Sequence, residues 1–205
     1  MKSRTVFLPL ALAVAVGLAP ASLSAQTGGE ELRLGMRKLW EDHITWTRLF
    51  LVSALADLPD LKATTDRLLQ NQVDIGNAIK PFYGNAAGDR LSALLRDHIL
   101  IASDIVTAAK AGEKEKLEAS RSRWVANADE IAAFLGAANP RFWPASEMKA
   151  MIREHLDLRT EELMARLKRD WSGDVAAYEK IHAQILKMAD MLADGIVRQN
   201  AGKVG

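Results

Sequence analysis

In its 205 residues the chain carries 27 lysines and arginines against 26 aspartates and glutamates, a formal net charge of +1, and 49% of its residues are hydrophobic. That balance leaves no basic excess to hold nucleic acid, and it gives a chain of this length enough apolar surface to build its own core. Cysteine is absent, which excludes a disulfide scaffold, thiol catalysis and a lipid-modified cysteine anchor.

From the first residue onward, Lys2 and Arg4 precede an apolar run at 6–19 that is followed by the small residues of "PASLSAQ". This is the pattern of a secretory signal peptide, residues 1–25, with cleavage expected after Ala25; a cut after Ala21 also fits a small-x-small site. The reading implies an exported protein, periplasmic or secreted. The apolar run is too short to span a bilayer, and nothing later reaches the roughly 18 apolar residues a spanning helix needs, so no transmembrane anchor is expected. Removing Lys2 and Arg4 turns the net charge from +1 to −1.

Residues 26–205 read as a single all-α domain. Mostly apolar residues recur at helical spacing, as in Met36, Leu39, His43, Trp46 and Phe50, and again in Leu61, Leu68, Ile75, Ile79 and Phe82, while no stretch alternates as a strand does. Breakers divide the chain into about six helices of roughly 20 to 28 residues. "DLPD" at 57–60 puts Pro59 in the first turn of helix 2. "YGNAAGD" at 83–89 separates helices 2 and 3, and Gly112 separates helices 3 and 4. "GAANPRFWP" at 136–144 precedes helix 5 and "WSGD" at 171–174 precedes helix 6. Within "HLDLRTEEL" at 155–163, Thr160 offers a cap that would split helix 5.

The helices pair into hairpins at about 30–84, 86–137 and 144–200, and these resemble one another. "MRKLWEDHI" (36–44), "LSALLRDHI" (91–99) and "MKAMIREHL" (148–156) align on a histidine, and "LKATTDRLLQNQVDI" (61–75) aligns without a gap on "LEASRSRWVANADEI" (117–131). The expected architecture is therefore an antiparallel bundle of three repeated helical hairpins. In such a hairpin, residues equally far from the turn share a height, because both helices rise about 1.5 Å per residue. His43 and Asn71 each lie 14 residues from a turn near 57, and Asn127 and His155 lie 14 each from one near 141. The same count sets His98 against Asn127 and His155 against Gln184, so His43, Asn71, His98, Asn127, His155 and Gln184 are predicted to form one polar layer. Each histidine shares a helix face with apolar residues four and seven positions before it, which turns the layer inward. Such a layer either fixes helix register through hydrogen bonds or makes a ligand site. As a metal centre it would use His43, His98 and His155, with zinc, copper or haem iron as candidates.

Other chemistry finds little support. His182 departs from the aligned copies, and "EKIH" at 179–182 is a lone Glu-x-x-His unit, where a di-iron bundle needs two with two further glutamates. Glycine-rich phosphate loops, G-x-S-x-G and H-E-x-x-H are all missing. The stretch "LWEDHITWTRLFLVSALADLPDLKATTDRLLQNQVDIGNAIKPFYG", with "NPRFWP" and "EHLDL" after it, resembles small exported bacterial all-helical proteins of unestablished function. Names such as acetylglutamate kinase or glycosyltransferase, attached to some of that group, imply α/β nucleotide scaffolds for which this chain has neither strands nor loops. The functional expectation is a non-enzymatic protein that binds a partner protein or a small ligand. No cofactor is expected; the alternative is a carrier of a metal ion or haem on the buried histidines.

Overall fold

The computed structural model describes residues 21–203, with side chains from residue 28. It contains six α-helices among the described residues: α1 (Ala21–Ala56), α2 (Leu61–Tyr83), α3 (Asn85–Ala111), α4 (Lys114–Ala138), α5 (Ala145–Leu167) and α6 (Trp171–Gln199). A short 3-10 turn, Ala201–Lys203, follows. The first 20 residues of the predicted signal peptide lie outside the described part, and the expected cut after Ala25 falls within α1. At 36 residues α1 is longer than the sequence pattern suggested, because the helix continues through Gly35 and the glycines at 28 and 29.

The connections are tighter than the breaker residues implied. Only Gly84, at φ 86°, separates α2 from α3, so "NAAGD" is already helix. Pro59 lies in the turn before α2, whose cap position is Asp60. "WSGD" forms the first turn of α6, capped by Asp170, whose side chain accepts from the Gly173 amide. Helix α5 is unbroken: the Thr160 hydroxyl donates to the Leu156 carbonyl at 2.9 Å and so supports the helix it was expected to interrupt.

Three helices stop in the same way. Asp57, Gly112 and Arg169 take left-handed backbone after α1, α3 and α5, and the next amide reaches back five residues, from Leu58 to Ser53, Glu113 to Ala108 and Asp170 to Ala165. This turn consumes carbonyls that would otherwise be orphaned at the helix end. The one longer connection, at 139–144, plugs an end of the bundle. Trp143 is fully buried and donates to the Met191 carbonyl, while buried Asn139 donates to the Gly195 carbonyl and to the Tyr83 hydroxyl.

Each helix packs on its neighbours in sequence, and α6 packs back on α1, closing the array. Arg33 pairs with Asp194 across that seam, and Arg37 grips Asp190 with Nε and Nη2. The core runs the length of the bundle through Ile44, Leu68, Ile75, Leu94, Ile181, Ile185 and Ile196, all essentially inaccessible to solvent. No described helix is long and apolar enough to cross a membrane.

Candidate functional site

The six residues singled out from the sequence are all buried. His98 Nδ1 lies 2.7 Å from Asn127 Oδ1 and His155 Nδ1 lies 3.0 Å from Gln184 Oε1, each pair bridging one hairpin. Every amide nitrogen is spent on the carbonyl four residues before the facing histidine: Asn127 on Leu94 (3.1 Å), Gln184 on Met151 (3.0 Å) and Asn71 on Leu39 (3.0 Å). A carbonyl accepts only from the NH₂ end of an amide, so the oxygen must face the imidazole. His98 and His155 therefore carry their proton on Nδ1 and keep the Nε2 lone pair free.

His43 breaks this pattern. Asn71 Oδ1 accepts from Gln72 Nε2 at 3.1 Å, and His43 Nδ1 makes no well-formed hydrogen bond, although the Asn71 and Gln72 side chains stand close enough to interact with the ring. The neighbouring residue also differs. Asn127 is followed by Ala128 and Gln184 by Ile185, neither of which competes for the amide oxygen, whereas Asn71 is followed by Gln72.

The three imidazoles share one cavity of about 30 Å³, closed by Trp40, Leu95, Ile131 and Met188 among others. The His43 and His155 rings are 5.9 Å apart, Trp40 meets His43 edge-on, and Trp124 stacks on His98 at 5.0 Å. Burial drives all three toward the neutral form, with the Arg159 charge acting in the same direction: His43 falls to about 3, and His155 falls well below its ordinary value. His98 is lowered to about 4, again chiefly by burial. About 30 Å³ holds a water or two and not a porphyrin, so haem does not fit. Among the described residues no group of three or more His, Asp or Glu side chains is placed to hold a metal ion.

One helical turn beyond His155 lies a charged cluster that the sequence reading missed. Arg159 and Glu162 are buried and paired at 2.7 Å, and Arg48 bridges Glu162 at 2.6 Å to Asp174, which it grips with two contacts of 2.9 Å. Arg166 also reaches Asp174. The available signal was their spacing, four and seven residues after His155, which puts both on its inward face. Arg159 borders a second cavity of about 50 Å³, to which Trp124 and Thr160 also contribute. His182, by contrast, sits on the surface bonded to Glu41 at 2.8 Å, and "EKIH" takes no part in the layer. Comparison with protein-family models, with curated proteins and with solved structures finds no match to this chain.

Proposed function

We propose that this chain is a non-enzymatic, exported binding protein whose ligand is a small molecule seated in the bundle core, beside the histidine layer. One observation carries the reading: Trp40 Nε1, Trp124 Nε1 and Arg159 Nε have no hydrogen-bond partner, although each belongs to a buried residue bordering one of the two cavities. A buried polar group left unsatisfied costs about 1–3 kcal/mol, and folded proteins hold few of them. Their concentration around core cavities supports a ligand that satisfies them. The satisfied pairs, His98 with Asn127 and His155 with Gln184, act as the rigid frame.

A metal carrier is the second reading. It is favoured by the imidazole form itself, since a histidine with Nδ1–H held by a neighbour and Nε2 free is the form metal-binding histidines adopt. Protein purified from its native compartment separates the two, by mass spectrometry under native and denaturing conditions together with metal analysis. The expected result is an added small-molecule mass that disappears on denaturation, without stoichiometric metal. Stoichiometric metal would establish the carrier instead, and the bare polypeptide mass with no metal would contradict both.

A further inference from the structure

We infer that the cavity beside Arg159 binds a short aliphatic monocarboxylate, a deepening that rests on the small-ligand reading above. Two residues of its walls carry N–H donors without partners, Arg159 at Nε and Trp124 at Nε1, and both are 7% exposed. The other polar groups bordering it each have a partner. The Glu162 oxygens are taken by Arg48 and Arg159, and the Thr47 and Thr160 hydroxyls are bonded to the carbonyls of His43 and Leu156. A site whose unpartnered polar groups are both donors favours a ligand that accepts, and a carboxylate is such a ligand.

Charge leads to the same class. The cluster sets Arg48, Arg159 and Arg166 against Glu162 and Asp174, an excess of one guanidinium. The three imidazoles nearby are held neutral by burial and add nothing. One negative charge balances that excess, whereas a doubly charged anion would overshoot it in a medium that penalises uncompensated charge. Phe50, Leu68, Ile99, Ile105 and Leu163 supply apolar wall for a hydrocarbon tail. At about 50 Å³, and with a water needing roughly 10–15 Å³, the space suits a ligand of three to five heavy atoms, in the range of acetate and propionate.

The test is calorimetric titration at pH 7 of the purified protein with sodium acetate, propionate and butyrate, using propionamide and chloride as controls. Propionate is expected to bind saturably and at least tenfold more tightly than propionamide, which has the same shape without the charge, and than chloride, which has the charge without the tail. Trp124→Phe keeps an aromatic side chain while removing the N–H together with the five-membered ring that carries it, and is expected to weaken propionate at least fivefold; Arg159→Met is expected to abolish binding. If Arg159→Met does not fold, Trp124→Phe decides alone. Equal affinity for propionate and propionamide would overturn the carboxylate assignment while leaving a small-ligand site in place. Equal affinity for chloride, unchanged binding in Trp124→Phe, or no binding of any carboxylate overturns the inference as well. The co-purified mass described above then judges the broader reading separately.

Discussion

At the scale of single residues, the histidine layer contains two kinds of site that respond differently to mutation. His98→Ala strands Asn127 Oδ1 in the core and is expected to cost about 1–3 kcal/mol. Replacing both His98 and Asn127 with apolar residues is expected to cost less than the sum of the single changes, because neither partner is then left behind. Chemical denaturation of the four proteins of this cycle measures the coupling, and strictly additive costs near zero would show that the contact contributes nothing. The pairing itself was legible in the sequence because it needs only counting: distance from a turn fixes height, and spacing from apolar neighbours fixes the face. Two things were beyond counting. Asn71 Oδ1 accepts from the adjacent Gln72, a contact between neighbouring side chains that no periodicity records. Arg159 and Glu162 stand at inward positions, yet charged residues on a helix are read by default as solvated, and only the partners contributed by α1 and α6 explain their burial.

Among the elements, helix packing and helix ends offer independent checks. Gly76 on α2 and Gly88 on α3 let the two helices approach closely: a Cβ on Gly76 would stand 2.4 Å from the Gly88 carbonyl oxygen and 2.0 Å from the Ser92 hydroxyl. Gly76→Ala is therefore expected to destabilise the bundle by about 1–3 kcal/mol through overpacking, although alanine is the better helix former. Arg169 points the other way. It is exposed, at φ 58°, where a side chain is strained and glycine is not, so Arg169→Gly is expected to stabilise by up to ~1 kcal/mol. Thermal unfolding of both variants reads the opposite signs. The helices and turns were visible in the sequence because local breakers set them, with errors of a few residues where a helix ran on through glycine. The closure of α6 onto α1 was not, since periodicity states which face is apolar and not which helix it meets. Its trace is Arg33 and Arg37, four residues apart, facing Asp190 and Asp194 at the same spacing.

Taken as a whole, the molecule runs from partly exposed Arg48 and Arg166 through Asp174, Glu162 and Arg159 to three imidazoles at its centre. That arrangement makes stability depend on pH in a defined sense. An unfolded histidine takes up its proton near 6.5, whereas in the fold His98 waits until about 4 and His43 until about 3. Between those limits the unfolded chain binds more protons, so the contribution of these groups is fully present above pH 6.5 and is lost as the pH falls toward their folded values. Each histidine costs ~1.4 kcal/mol per unit across that window. The urea midpoint is therefore expected to drop between pH 6.5 and 5, above the range in which most carboxylates titrate, and His98→Gln is expected to reduce that slope by about a third. The most direct measurement is a long-range ¹H–¹⁵N imidazole correlation spectrum recorded from pH 7.5 down to 5. His98 and His155 are expected to stay neutral throughout with the proton on Nδ1. Resonances of both moving through a midpoint near 6.5, or showing the proton on Nε2, would contradict a core built around neutral, amide-held histidines.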